Sequence, residues 1–533
     1  GYSSLSANTT GASNTGIGGQ ALEANTTASN NTAVGDDAMK ANTTGGNNTA
    51  IGMQCLDANT TGAENVAIGV NALTANTTAN DNTAVGGGAL ASNTTGADNV
   101  AIGRVALASN TTASNNVAVG RNALLSNTTG TANTAVGKDA LDSNTTASYN
   151  TAVGTDALQG NTTGASNTGV GTNALDANTT GASNAAFGAF ALDSNTTGQQ
   201  NIGVGKNALG TNTTGSQNTA LGHGSLALNT TASNNVAVGY HSLVSNTTGY
   251  SNVAVGSVAF DSNTTGYQSV AVGMNALGSA TTAHTNTAVG AYSLDALTTG
   301  VYNVAVGKDA LTEVTTSNDN TGVGAFALNN VTTGASNTAI GFQAGQYSIG
   351  LTTGGQNTFL GAYSHPSAVD TTYQIVLGYN TRSVGANYIT LGRNTGNDRV
   401  YNQYTSDASW TRVSDVRYKE NITPNNECGL AFINDLNPVT FTWKAKADID
   451  STLPDYNAEA TEPEHKEKMY GLIAQEVKES LDKHNITDFG GWNIEDSTGI
   501  QAISQEMFVH PLIKAVQELS AKVEELESKL NGE

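Results

Sequence analysis

The sequence is poor in charge, proline, cysteine and aromatic residues. Charged residues fill 12% of its 533 positions, against roughly 25% in ordinary soluble domains, so most of it lacks an ordinary globular surface. Only 6 prolines occur and glycine shows no three-residue period, which excludes a collagen-like helix. Cys55 and Cys428 are the only cysteines, which excludes a disulfide-stapled scaffold. The formal net charge of -22 argues against nucleic acid and against anionic membrane surfaces as partners. No apolar run approaches the roughly 20 residues that span a bilayer, and no signal-peptide pattern opens the chain, so no membrane insertion is expected.

What is present is divided unevenly. Residues 1–365 hold 6 basic and 17 acidic residues and no proline, while the remaining 168 hold 15 basic, 26 acidic and all 6 prolines. The first part is a repeat. Asn-Thr-Thr begins at Asn8 and recurs every 17 residues to Asn263; the register then continues with Ala280, Leu297, Val314 and Val331 in place of the Asn, 20 repeats in all. One unit reads Asn-Thr-Thr-Gly/Ala-x-x-Asn-Thr-Ala-Val-Gly-x-x-Ala-Leu-x-x. After Gly341 the equivalent glycines fall at Gly361, Gly378 and Gly392, at steps of 20, 17 and 14. Gly1–Leu5 fits the middle of a repeat, so an upstream segment is expected.

Seventeen residues suit one coil of a β-solenoid. Thr-Ala-Val-Gly has strand character and Asn-Thr-Thr-Gly turn character. With coils stacked at about 4.8 Å, twenty of them predict a rod of roughly 95 Å. The Val/Ile position (Val34, Ile51, Ile68) and the Leu position (Leu22, Leu56, Leu73) are expected to point inward. The position before Leu, where Cys55 sits, demands a small side chain. The glycine at Gly18, Gly35, Gly52 and onward marks a bend with positive φ or a close backbone approach. Asn14, Asn31, Asn48 and Asn65 are expected to stack into hydrogen-bonded ladders, a series from which only Ser269 departs. Two large apolar residues per coil make a thin core, which predicts that three chains share the burial. The first Asn of the triplet is read as an exposed position, so its replacement by apolar residues from Ala280 onward predicts a corner buried between subunits.

Other readings of the repeat are weaker. Each Asn-Thr-Thr is formally a glycosylation acceptor, but a turn favouring Asn and Thr explains it. Ice binding needs a flat face two threonines wide, and strand alternation would send Thr9 and Thr10 to opposite sides. The aspartates of calcium-binding β-rolls are absent. No metal or cofactor is expected, and no paired carboxylates in the shaft support polysaccharide cleavage. Residues 342–413 carry Tyr363, Tyr373, Tyr379, Tyr388, Tyr401 and Tyr404, which suit either sugar stacking or the core of a tip.

Beyond about residue 400 the composition becomes ordinary. Leu430, Ile433 and Leu436 lie at helical spacing, Val439, Phe441 and Trp443 alternate like a strand, and Tyr470–Ala474 leads into a helix. Val509, Leu512, Val516, Leu519, Val523, Leu526 and Leu530 step by three and four, which predicts a coiled coil. Three blocks carry a resemblance: Ser414-Asp415-Val416-Arg417-Tyr418-Lys419-Glu420-Asn421-Ile422, Gly471-Leu472-Ile473-Ala474-Gln475-Glu476-Val477, and Pro511-Leu512-Ile513-Lys514-Ala515-Val516-Gln517-Glu518-Leu519. Together they resemble the endosialidase-type self-cleaving intramolecular chaperone found at the C-terminus of bacteriophage tail fibres and tailspikes. The pieces Asn65–Gly69 and Asn99–Gly103 also resemble the head repeats of trimeric autotransporter adhesins, which are shorter trimeric β-rolls.

The resemblance implies a homotrimer assembled by its C-terminal segment, which then cuts the bond between Val413 and Ser414. Ser414 would be the nucleophile, Lys419 its base, Arg417 a nearby cation and Asp415 the partner of Arg417. The expected plan is mainly β: a homotrimeric β-solenoid or β-roll shaft of 17-residue coils over 1–341, irregular β repeats and a distal tip over 342–413, and a small α+β chaperone domain over 414–533 ending in a trimeric coiled coil. The expected role is a virion tail fibre or spike, made in the bacterial cytoplasm and exposed on the particle. It would bind a host cell-surface glycan or protein receptor and join other tail proteins through its missing N-terminus. A bacterial trimeric adhesin and an ice-binding solenoid are the alternative classes.

Overall fold

Alternation within a three-residue strand sends only its middle residue to one side, and this decides how each coil packs. The computed structural model describes residues 1–393, 398–405, 411–412, 416, 419–453, 456–463, 466–495 and 499–532. The chain divides into two compact units, Gly1–Val413 and Ser414–Glu533. In the first, one strand per coil runs from Thr15–Ile17 through Thr338–Ile340 and on to Thr358–Leu360, Ile375–Leu377 and Tyr388–Gly392. Each pairs in parallel with the strand one coil away, as in Thr32↔Thr49, Ala33↔Ala50 and Val34↔Ile51. The row closes with two antiparallel strands, Arg399–Gln403 and Thr411–Arg412.

Six positions per coil face inward, exemplified by Asn25, Ala28, Asn31, Ala33, Ala38 and Met39. The Leu position is buried as expected. The Val/Ile position is not: Ile51 keeps 41% of its surface exposed, and the middle Ala33, Ala50 and Ala67 are buried instead. The cross-section explains the correction. A Cβ placed on Gly169, at the middle position, would lie 3.3 Å from Cγ of Leu158, so only a small residue fits opposite the leucine row. A second correction follows. The core closes within a single chain, with the Ala, Leu and Asn rows fully buried; the thin-core argument for three chains does not hold for the shaft.

The first Asn of the triplet is also corrected, from exposed to buried. From Asn25 to Asn263 these side chains form a continuous ladder. Asn42 Nδ2 donates to Asn25 Oδ1 at 3.0 Å and to the Gly45 carbonyl at 3.0 Å, and Asn59 Nδ2 donates to Asn42 Oδ1 in turn. Ala280, Leu297, Val314, Val331 and Leu351 continue this row inside the same chain, so they mark no subunit boundary. Where the ladder stops, Asn263 Oδ1 turns back to accept from its own Gly266 N–H. The second Asn row forms the expected ladder: Asn48 N–H donates to Asn31 Oδ1 at 2.9 Å, and Asn48 Nδ2 to the Gly62 carbonyl at 2.9 Å. The carboxamide presents two N–H donors and a separate acceptor oxygen, whereas a hydroxyl has a single O–H on its one oxygen and a methyl group has neither donor nor acceptor.

The triplet threonines lie in a turn, so neither faces the interior and strand alternation does not apply to them. Thr43 Oγ1 donates to the Thr60 carbonyl at 2.9 Å, whereas Thr44 is exposed. The glycine corner satisfies both expectations. Gly154 has φ +138°, and a Cβ there would lie 2.5 Å from the Gly171 carbonyl oxygen. The Leu row is left-handed too, with φ of 53° at Leu22 and 54° at Leu56. That conformation costs a non-glycine residue about 1–2 kcal/mol, which the packed, hydrogen-bonded neighbours overcome.

The second unit is built around Phe432. Helix α1 (Leu430–Asn434) is followed by the antiparallel pair Val439–Phe441 and Met469–Gly471, helix α2 (Ala474–Lys483), the pair Trp492–Ile494 and Gln501–Ile503, and helix α3 (Val509–Asn531). Phe432, Val477, Leu481 and Ile486 form its core with Phe489 and Phe508 packed against them.

Substituting the corner should be far more damaging than substituting the ladder. Gly154→Ala should cost about 3 kcal/mol or more, since strain and collision coincide. Asn161→Leu, which removes the partners of Asn144 Oδ1 and Asn178 Nδ2, should cost about 1–3 kcal/mol. Guanidinium unfolding followed by circular dichroism measures both; equal midpoints would contradict the ranking.

Candidate functional site

Block by block, the C-terminal residues separate into those the structure places and those it does not. Val413, Ser414, Asp415 and Arg417 lie outside the described residues. Lys419 is described: its backbone N–H donates to the Val416 carbonyl at 3.1 Å, and the residue is exposed in the single chain. The second and third blocks meet. Gly471 and Leu472 from the end of the Met469–Gly471 strand, and Leu512 from the first turns of α3, line one groove of about 500 Å³ together with Leu436, Pro438 and Tyr470. The walls are almost wholly apolar side chains, and Tyr470 remains 75% exposed.

The groove runs into an apolar seam. Along α3 the residues Val509, Leu512, Val516, Leu519, Val523, Leu526 and Leu530 are between 45 and 86% exposed, and only Pro511 and Ala515 are buried. Helical spacing puts these residues on one stripe, which no described residue of its own unit covers fully.

One contact was not legible from the sequence motifs. Helix α1 begins at Gly429 with no side-chain cap of its own. Glu518, from the third block, supplies it: Oε2 accepts from the Leu430 N–H at 2.8 Å. A Cβ on Gly429 would lie 2.6 Å from the Glu518 carboxylate oxygens, so glycine is what lets α1 and α3 approach. The signal available in the sequence was a helix start lacking Ser, Thr, Asp or Asn, which leaves a donor to be satisfied from elsewhere. Lys514 Nζ stands 3.5 Å from Glu518 Oε1. The backbone hydrogen bond, and then the lysine, lower the carboxyl below its ordinary value. Asp435, at the other end of α1, is lowered by hydrogen bonds from Lys483 and His484 at the C-terminal end of α2.

Cys55 and Cys428 are both buried thiols. Burial pushes Cys55 up to about 12, and Cys428 is raised by the same cause, so neither is suited to act as a thiolate nucleophile. Among the described residues, no group of His, Cys, Asp and Glu could hold a metal ion, and no helix is long and apolar enough to cross a membrane.

The Glu518 contact has a pH signature. A carboxyl lowered on folding stabilises above its unfolded value near 4.3 and loses that contribution as pH falls through the folded value. Glu518→Ala should therefore lower the melting temperature of the C-terminal unit at pH 7, with the difference from wild type closing below about pH 4. A difference that persists unchanged at pH 3 would show that the carboxylate is not the cause.

A search of curated proteins and of solved structures returned no match. Residues 414–486 match the family described as chaperone of endosialidase. That match, standing after a β-solenoid of 17-residue coils, fits a phage tail fibre or tailspike that carries a C-terminal chaperone.

Proposed function

We propose that this tail protein is a homotrimeric host-attachment fibre or spike whose C-terminal unit assembles the trimer and then releases itself by cutting between Val413 and Ser414. The observation that carries the reading is the uncovered seam of α3. Seven apolar residues at heptad spacing on one helix are satisfied by parallel copies of the same helix, and the groove at Leu472 and Leu512 extends that contact to the body of the unit. The shaft supports association as well. Its outward Val/Ile row, including Ile51, Ile68, Ile102 and Ile340, leaves one apolar residue per coil on the surface, a continuous stripe of the kind that marks an interaction face.

The repeat explains why such a chaperone is useful. Each coil presents almost the same surface as the next, so chains displaced by 17 residues would pair nearly as well as chains in register. A clamp at one end removes that choice before the shafts meet.

The cleavage chemistry needs only the residues of the first block. Ser414 Oγ attacks the Val413 carbonyl carbon while Lys419 Nζ takes the hydroxyl proton. The C–N bond breaks, the freed amine of Ser414 takes a proton, and the Val413 acyl group is left as an ester on Oγ. Water then opens the ester to a Val413 carboxylate and a free Ser414. A lysine serves as base only when burial or a neighbouring cation lowers its pKa. Lys419 is exposed in one chain, so the other copies, with Arg417, would supply that environment. Cleavage would then follow assembly.

Mass spectrometry and light scattering test this together. Wild type should assemble as a trimer and appear cut after residue 413, whereas Ser414→Ala should assemble and stay intact. Lys419→Ala should cut more slowly by about 10²–10⁴-fold. Leu519→Glu, within the seam, should leave an uncut monomer. An intact wild-type trimer would sink the cleavage step, and a cut monomer would sink its dependence on assembly. For attachment, fluorescently labelled trimer should be retained by some strains in a panel of bacteria; retention by none would remove that part of the reading.

A further inference from the structure

Near the end of the shaft, one coil is 20 residues long instead of 17, between Gly341 and Gly361. The extra residues carry Tyr347 outward, where its ring packs 4.7 Å from that of Tyr363. The two positions after each corner glycine supply the rest of a pocket of about 400 Å³: Phe342 and Gln343, Tyr363, and Tyr379 and Asn380. In the first of these positions Ala362 stands between Phe342 and Tyr379, a small residue between two large ones, which opens the space.

We propose that this pocket binds one neutral sugar ring of a host-surface glycan. The inference rests on the attachment reading above and assigns it a place. The ring geometry supports it. Tyr363 stands at 80° to Phe342 and at 87° to Tyr379, so these rings meet edge to face and none of the three lies stacked flat on another. An aromatic face is the negative side of its quadrupole, which suits the weakly positive axial C–H groups of a pyranose. Gln343 adds a carboxamide, able to donate to and accept from hydroxyls, and Asn380 stands at the pocket wall. No carboxylate, ammonium or guanidinium lines the pocket, which favours a neutral ligand over an acidic or basic one. A few polar groups in an aromatic wall are the usual makeup of a small-molecule site.

The platform is also fixed in advance. Gln343, Tyr363 and Asn380 are left-handed, with φ of 53°, 60° and 48°, and each N–H donates one coil back, to Ala325, Phe342 and Ala362, at 2.9 Å. Another aromatic row of the shaft is arranged differently. Tyr250, Tyr267 and His284 stack nearly flat, at 3° and 9°, so most of their faces are already used on each other.

Saturation-transfer NMR on the full chain, with glucose, galactose, mannose and N-acetylglucosamine as separate probes, tests the assignment. At least one sugar should receive saturation. Phe342→Ser and Tyr379→Ser, at outward positions 41% and 58% exposed, should each weaken it by about tenfold with no change in thermal unfolding, while Tyr250→Ser should leave it intact. Three results would overturn the proposal: no saturation of any of the four sugars, binding that survives both pocket substitutions, or saturation of choline in their place, which would make the pocket a cation cage. The bacterial retention assay separates the two readings. Wild-type retention undiminished in Phe342→Ser and Tyr379→Ser would remove the pocket and keep attachment, whereas loss of retention in wild type removes attachment itself.

Discussion

Backbone meets backbone at the glycine corner, and the rest of the shaft depends on that approach. At Gly154 the neighbouring carbonyl occupies the space a Cβ would need, so the corner admits no other residue without moving the coil. Because the corners stack this closely, every strand pairs with the one a coil away in the same register. The inward positions then lie in straight rows. Rows of like residues are what permit ladders: an Asn finds an Asn above and below it, and its carboxamide can accept from one and donate to the other. Low charge follows from the same geometry. An ionised side chain repeated at about 4.8 Å would meet its own sign in every coil, whereas a repeated carboxamide meets a partner.

The period, the corner glycine, the Leu row and the second Asn row could all be read directly from the sequence, because each repeats where one backbone geometry repeats. Direction was harder. Val34 and Ile51 are more apolar than Ala33 and Ala50, and a hydrophobicity argument turns them inward; the three-residue strand and the leucine opposite turn them out. The triplet Asn looked like a surface residue because it is polar. Its burial depends on turn amides and carbonyls that no composition displays. In both cases the deciding quantity was the narrow width of the coil, which is a property of the closed chain.

In the C-terminal unit the helices and strands were legible from spacing, and the first two of the three blocks lie within the family match over 414–486. The Leu430–Glu518 contact was not, since it joins residues 88 apart through one hydrogen bond. The first block illustrates a different limit. Val413, Ser414, Asp415 and Arg417 lie outside the described residues and Lys419 is exposed in the single chain, so this block was legible as a motif and not as a geometry.

The three-residue enlargement between Gly341 and Gly361 shows how such a rod accommodates change. The strands on either side, Thr338–Ile340 and Thr358–Leu360, still pair in register, and the extra length is pushed to the outer surface as the loop bearing Tyr347. Since each coil touches only its neighbours, whole coils could likewise be gained or lost without new contacts, each changing the reach by about 4.8 Å. The shaft is thus a ruler with fixed graduations, on which length and surface chemistry are set independently.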